Sequence, residues 1–503
     1  MQLSKEYLQH AASYPQLEAL FQLPEKVLQF GTGVLLRGLC DYQIDKANKH
    51  NIFNGRIVVV KSTESGGADD FDQQDGLYTH FIRGIYDGQT VDETVINASI
   101  SRVLSARGQW QQVLECAANP QMQVIISNTT EVGIMFSEDN IHAGTPASFP
   151  GKLLAFLHQR YAAFNGSHES GMVIIPTELI VNNGGKLKEI VIALARFNNL
   201  SEAFIEWVEC YNHFCNSLVD RIVPGKLPAI DKTAAEHILG YTDELMIMSE
   251  VYSLWAIEAS KPEVLQALSF SLADKGVVLA HDITKFRELK LRLLNGAHTF
   301  CCGLAVLAGF ETVKEAMANE TFLAFVHNLM LDEIAPGLVN DNLTYEEARN
   351  FALQVIDRFR NPFLEHKWLS ITLQYSSKML MRNVPNLLNH YANNHTPPKY
   401  MAVGFAAYLR FMDGHKNELE QYIGHANGKP YVINDDKANL LAEHYERKEL
   451  RPFVCEVLAD ERLWGRDLNK LLDFTNAVTV QIENVRDLHR QGKTVLDYIK
   501  EIV

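Results

Sequence analysis

Three residues raise the first chemical question: Lys290, Asn295 and His298, within the run KLRLLNGAHTF (residues 290–300). The run reads as a helix, because Leu291, Leu293, Leu294, Ala297 and Phe300 supply core positions at helical spacing. At about 100° per residue, the three polar residues fall at roughly 0°, 140° and 80° on a wheel. They share one arc, with His298 in the middle. Gly296 and Ala297 add little bulk beside them, which leaves room for a ligand. Spacing alone fits equally a snorkelling lysine and a histidine at the edge of a core. The chemistry that such an arc suits is carbonyl reduction. Hydride delivery to a ketone leaves an alkoxide that must take up a proton. A partly desolvated Lys290, its pKa lowered, supplies that proton, or removes it in the oxidative direction. Asn295 and His298 donate hydrogen bonds to the developing oxyanion or to neighbouring hydroxyls.

Hydride chemistry needs a carrier, and VLQFGTGVLLRG (residues 27–38) offers a place for one. Gly31 and Gly33 fit the first two glycines of a dinucleotide fingerprint that follows a strand and opens a helix. Leu36 stands where the third glycine is expected. The candidate cofactor-binding residues are Val27, Leu28, Gln29, Phe30, Gly31, Thr32, Gly33, Val34, Leu35, Leu36, Arg37 and Gly38. Arg37 is positioned to add a charge-assisted contact to phosphate. An acid that binds the adenosine ribose belongs at the end of the second strand. Lys61, Ser62, Thr63 and Glu64 stand there, with no acid directly at the strand end, so spacing leaves NAD and NADP open.

The elements that must hold these residues follow from the hydrophobic pattern. KVLQF (26–30), RIVVV (56–60), MQVIIS (122–127), GMVIIP (171–176) and GVVLAHDI (276–283) are continuous apolar runs. Such runs suit strands buried on both faces, in βαβ units around a mainly parallel sheet. GGADDFDQQDG (66–76) reads as a solvated loop whose acids lack the spacing of a calcium site. Beyond about residue 284 the pattern turns helical, as in TYEEARNFALQVIDRFR and PKYMAVGFAAYLRFMDG. The fold class is therefore an α/β Rossmann-like dinucleotide-binding domain over residues 1–280, followed by a mainly α-helical domain over 281–503.

Composition narrows the function classes. The 503 residues are 47% hydrophobic and 21% charged, the balance of a globular protein with more than one core. A net charge of −15 without a Lys/Arg run argues against nucleic acid as a partner. The N-terminus lacks the apolar core of a signal peptide, and no uninterrupted apolar window reaches a bilayer-spanning length. A cytoplasmic protein with no membrane partner is expected. Seven scattered cysteines, none in a CxxC pair, give no disulfide framework or zinc site. The oligomeric state stays open, and a monomer is compatible with the sequence.

KLRLLNGAH resembles the signature of the polyol-specific long-chain dehydrogenases, the mannitol dehydrogenase family: Lys, four residues, Asn, two residues, His. QFGTGVLLR resembles that family's GxGxxxR loop, which accounts for the missing third glycine. QDGLYT (74–79), SNTTEVG (127–133), VDRIVP (219–224) and RFRNP (358–362) fall where family blocks are expected. FIRG (81–84), IPTELIVNNGG (175–185), FCNSLVDRIVPG (214–225) and RFRNPFLEHKWLSI (358–371) are most similar to the hexuronate-reducing branch of the family. The resemblance implies NADH-dependent, metal-free reduction of D-tagaturonate to D-altronate in hexuronate catabolism. It assigns Lys290 as general acid/base, with Asn295 and His298 holding the reacting oxygen and adjacent hydroxyls. It places Arg358, His366 and Asp220 at the substrate, and Glu131 near the nicotinamide, as a proton relay or a helix cap. Arg358 and Arg360 are the candidate clamps for a substrate carboxylate. Mannitol and mannonate enzymes of the family carry an oxyanion Asn where Leu179 stands here, with Glu178 or Asn182 as candidates to compensate. Two other readings remain: a fructuronate or neutral-polyol enzyme of the same family, and a non-catalytic dinucleotide sensor.

Overall fold

Valine and isoleucine runs without alternation can be buried only at the centre of a layered sheet. In the computed structural model four of the five runs, KVLQF, RIVVV, MQVIIS and GMVIIP, lie there. The structure describes residues 1–10, 17–62, 68–129, 133–445 and 449–503. Two compact units divide the chain: Met1–Arg83 with Thr90–Ile283, and Gly84–Gln89 with Thr284–Val503.

In the first unit the chain forms β1 (Glu25–Phe30) and β2 (Arg56–Lys61), then β3 (Tyr78–Tyr86) and β4 (Gln89–Asn97), whose hairpin tip Gly84–Gln89 is assigned to the second unit. β5 (Ile100–Ser105), β6 (Val124–Ser127), β7 (Val173–Pro176) and β8 (His213–Phe214) follow. The main sheet has the order β5-β2-β1-β6-β7-β8. Every neighbouring pair is parallel. Alternate residues separate to the two faces. Val27, Ile57, Val59, Val124 and Ile126 enter one core, and Leu28, Phe30, Val58, Val60 and Ile125 enter the other. The strand order reverses between β1 and β6, so the end of β1 opens at a topological switch point, where such sheets bind ligands.

Four further strands, β9 (Ser217–Asp220), β10 (Ile247–Glu250), β11 (Leu254–Glu258) and β12 (Val277–Ala280), build two small sheets, β10-β3-β4 and β12-β11-β9. The run GVVLAHDI thus supplies β12, which pairs with β11 outside the main sheet. Its partner LWAIE completes a separate sheet by pairing antiparallel with β9. The acidic stretch expected to be a solvated loop is helical over Ala68–Gln73, where the buried Phe71 gives it an apolar anchor.

The second unit is helical, as expected, apart from a small antiparallel sheet of β13 (His415–Lys416), β14 (Tyr422–Ala426) and β15 (Lys429–Ile433). At its centre runs the helical segment Thr284–Ala308. By length and composition this segment could cross a membrane, but 72% of its most apolar window is buried inside the fold, as in a core helix. The helix Lys399–Met412 packs along it and also against Phe474–Gln491.

Candidate active site

The glycine loop follows β1 directly. Gly31 has φ +128°, a conformation that L side chains rarely adopt, and an added Cβ would meet Leu36 Cδ1 at 3.0 Å and Asn128 O at 3.2 Å. Leu36, in the place of the third fingerprint glycine, is therefore the side chain that packs beneath the turn. Gly33 N-caps the helix Val34–Gly38, and a Cβ there would meet nothing within 4 Å. Protein packing does not demand glycine at that position. Open space above main chain at a helix start is what a pyrophosphate requires, so the loop fits a dinucleotide. The side chains of Val27, Leu28, Phe30 and Leu36 are core. Only main chain and the partly exposed Gly31, Thr32, Gly33, Val34 and Leu35 are open to a ligand.

Arg37, expected at phosphate, is buried. Its guanidinium donates to Leu245 O and lies over the rings of Phe71 and Tyr78. Burial lowers its pKa, and Tyr78, Asp41 and Asp243 act against that shift. The helix Val34–Gly38 is too short to satisfy its last carbonyls. Tyr78 OH donates to Arg37 O at 2.8 Å, and Arg221 Nη1 to Gly38 O at 2.7 Å. These two donors come from QDGLYT and VDRIVP, so both sequence blocks brace the loop from below.

At the ends of β6 and β7, Thr177 donates to Ser127 O at 2.7 Å. The Glu178 carboxylate accepts from Thr129 N at 2.8 Å, Thr129 Oγ1 at 3.0 Å and Ser127 Oγ at 3.2 Å. Glu178 thus ties two strand ends together, while Leu179 is 65% exposed. Asn182 has φ +56° and starts the helix Asn183–Phe197. Thr63, Glu64 and Glu131 lie outside the described residues. Asp220 is buried on β9 in this first unit.

In the second unit, the helix Thr284–Leu289 widens into a π-helical turn over Lys290–Asn295 and resumes as α-helix over Gly296–Ala308. An i→i+5 repeat brings residues five apart nearer to one face than an α-helix does. Lys290 and Asn295, about 140° apart on an α-helical wheel, are thereby drawn together. The cost of the wide turn is one skipped carbonyl. Gly296 N reaches back to Leu291 O, so Arg292 O loses its ordinary partner. Asn386 Nδ2 donates to Arg292 O at 3.1 Å.

A second π-helical turn, Met379–Asn383, packs against the first. Pro385 lacks an N–H, which strips Met381 O of its helical donor. Arg292 Nη1 supplies the bond, 3.0 Å to Met381 O and 3.2 Å to Arg382 O. Each turn therefore satisfies the main chain of the other. Asn383 completes the brace, with its amide oriented to donate to Gly296 O at 3.1 Å and accept from Phe300 N at 3.2 Å. The small residues Gly296 and Ala297, expected to admit a ligand, are buried. A Cβ on Gly296 would come within 2.6 Å of Asn386 Nδ2. The space there belongs to the brace.

His298 stacks on Phe359 at 3.8 Å and 10°, with His366 and Trp368 edge-on at 5.3 and 6.0 Å. Burial holds its pKa well below 6.5, and His366, Arg358, Arg382 and Lys378 push the same way. The ring is neutral at physiological pH. Its Nε2 is buried and has no hydrogen-bond partner among the described residues. Such an orphan costs about 1–3 kcal/mol in a folded chain, and it marks where a ligand group would be received. Lys290 and Asn295 are half-buried on the same helix. Arg358 is buried in the last turn of Tyr345–Phe359, Arg360 is exposed just beyond it, and His366 is half-buried. The structure thus gathers His298, Arg358 and His366, while Asp220 belongs to the other unit. Among the described residues, no group of His, Cys, Asp or Glu is placed to hold a metal ion. Sequence reasoning missed Asn383, Asn386 and the cations Lys378 and Arg382. Pro385, inside an otherwise helical pattern, was the available signal.

Comparison with known proteins gives a consistent picture. The model of the mannitol dehydrogenase Rossmann domain matches residues 25–266, and that of the mannitol dehydrogenase C-terminal domain matches residues 282–486. An altronate oxidoreductase of Bacillus subtilis (strain 168) is 39% identical over 473 residues, 93% of this chain and 94% of the relative. One from Escherichia coli (strain K12) is 35% identical, covering 92% of this chain and 95% of its own length. Two solved structures share the fold. The Pseudomonas fluorescens mannitol 2-dehydrogenase complex with NAD and D-mannitol has TM-score 0.66 and 22% identity, and covers 100% of both chains. A substrate-free D-sorbitol dehydrogenase has TM-score 0.75 and 19% identity, and covers 98% of this chain and 99% of its own.

Proposed function

The chain belongs to the mannitol dehydrogenase family, as an oxidoreductase acting on CH–OH groups with a nicotinamide dinucleotide, and on that premise we propose the particular reaction and the residues that perform it. The reaction is reversible reduction of D-tagaturonate to D-altronate with NADH, in cytoplasmic hexuronate catabolism. The observation that carries the residue assignment is the π-helical turn, which draws Lys290 and Asn295 together just before the unpartnered Nε2 of His298. Main chain at Gly31, Thr32 and Gly33 would hold the dinucleotide, which supplies the hydride when bound.

Lys290 Nζ gives its proton to the substrate carbonyl oxygen as that oxygen gains charge. In the reverse direction Nζ takes the hydroxyl proton. Asn295 Nδ2 donates a hydrogen bond to the same oxygen. His298, neutral and fixed in plane by its stack on Phe359, donates from Nε2 to that oxygen or to the adjacent hydroxyl. An oxyanion donor of this kind is worth ~10²–10³-fold in rate, and a placed general acid ~10²–10⁴-fold. His366 and Arg358 complete the substrate pocket in this reading, and a role for Asp220 at substrate hydroxyls rests on the family resemblance alone.

A panel of D-tagaturonate, D-fructuronate and D-fructose, each assayed with NADH and NADPH, tests the reading. Fastest turnover of D-tagaturonate with NADH is expected. A clear preference for fructose, or NADH binding without oxidation of any of the three, would overturn it.

A further inference from the structure

A hexuronate presents a carboxylate a short run of hydroxylated carbons away from its ketone, so a site that selects it needs a cation distinct from the proton donor. The two arginines suggested by the sequence are poorly matched to that task. Arg358 is buried, and Arg360 is exposed beyond the end of its helix. The second π-helical turn carries a different candidate.

Arg382 is half-buried, and its main-chain oxygen is held by Arg292. Its Nη1 donates to Thr299 Oγ1 at 3.2 Å, and Thr299 Oγ1 donates to Asn295 O at 2.7 Å. The guanidinium therefore sits beside His298 and one turn from Asn295, the residues assigned to the carbonyl end. Of its five N–H donors, a single one is used by protein among the described residues. Lys378, one helical turn earlier, donates to Ile371 O at 2.8 Å. Among the described residues neither cation forms an ion pair with a carboxylate, although the chain carries a net charge of −15. Two cations without counter-ions, one of them a partly buried fork, are unusual beside a third polar group left unpartnered. Such a set is stabilised by an anionic ligand.

We propose that Arg382 binds the carboxylate of the substrate and so determines the preference for a hexuronate over a neutral ketose. This rests on the reading of the chain as a tagaturonate reductase. The guanidinium donates through its free Nη2 and Nε edge, while Thr299 fixes its plane. Lys378 adds to the local positive field without touching the chemistry.

The test compares wild type with Arg382→Met and Arg382→Lys, using D-tagaturonate as substrate and D-altronate and D-altritol as competing ligands. Loss of the charge-assisted bonds raises KM for D-tagaturonate by ~10–100-fold, with kcat and NADH affinity unchanged. Arg382→Lys recovers part of that loss. Inhibition by D-altronate weakens in parallel, and inhibition by D-altritol does not change. Should Arg382→Met fail to fold, Arg382→Gln keeps a donor to Thr299 without the charge and carries the same test. Unchanged KM in folded variants, or equal weakening of the charged and neutral ligands, overturns the role of Arg382. Absence of wild-type turnover on D-tagaturonate instead overturns the assigned reaction, so the two failures are distinct.

Discussion

Replacing Asn386 by leucine tests whether the π-helical turn positions the site. Asn386 is 2% exposed, and its amide is the donor that serves the skipped carbonyl, Arg292 O, at 3.1 Å. Leucine is close in size and donates nothing. Left unpartnered, a buried carbonyl costs about 1–3 kcal/mol. The helix escapes that cost by letting Gly296 N return to Arg292 O, which converts the π-helical turn to α-helix. The conversion returns Lys290 and Asn295 to their α-helical separation of about 140°. Lys290, the proposed general acid, then faces away from the carbonyl, with an expected loss of ~10²–10⁴-fold in kcat. The melting temperature falls by roughly 2–4 °C for each kcal/mol lost. NADH affinity stays at the wild-type value, because the glycine loop belongs to the other unit. Steady-state NADH oxidation, thermal melting and NADH titration on one preparation supply the three readings. Wild-type kcat in a measurably destabilised variant would refute the argument that the wide turn places Lys290.

Three further outcomes follow from particular geometries. Gly33→Ala leaves thermal stability unchanged, since its Cβ meets nothing, but weakens NADH binding measured by titration; unchanged affinity would contradict a pyrophosphate at that spot. Gly31→Ala, at φ +128°, loses about 1–3 kcal/mol of stability as well as NADH affinity, which melting and titration together would register. His298 has a folded pKa well below its unfolded 6.5, so between those values the unfolded chain binds a proton that the folded site refuses. Its contribution to stability is complete above pH 6.5 and declines as pH falls, by at most about 1.4 kcal/mol per pH unit. His298→Gln should therefore lose less melting temperature than wild type between pH 7.5 and about 5.5, and equal losses would discount the buried neutral ring.

Much of this fold could be read from the sequence because apolar runs and helical periodicity report burial directly. β1, β2, β6 and β7 fall on the runs that define them, and the long helices of the second unit on theirs. What escaped was set by turns and pairing. The hairpin β3–β4 turns on Asp87-Gly88 and β14–β15 on Asn427-Gly428, all four residues at positive φ. Asx-Gly pairs are the strongest short hairpin signal, yet the strands that follow them, β4 and β15, are largely exposed and lack apolar runs. At the proposed site, residue types and spacing singled out Lys290, Asn295 and His298 as candidates, but a regular wheel spread them over 140°. No local pattern announces a π-helical turn whose stability comes from asparagines some ninety residues away, at Asn383 and Asn386. Arg37 shows the converse limit. Its place in the glycine loop suggested phosphate, while its carbonyl and ring partners at Leu245, Phe71 and Tyr78 are distant in sequence.

Lys290 is proposed to carry the proton in reduction of a hexuronate ketone. Lys290→Ala, assayed for kcat on D-tagaturonate with the Kd for NADH measured on the same sample, tests it most directly. A fall in kcat of ~10²–10⁴-fold with Kd for NADH unchanged is expected. Wild-type turnover by a Lys290→Ala enzyme that binds NADH normally would contradict it.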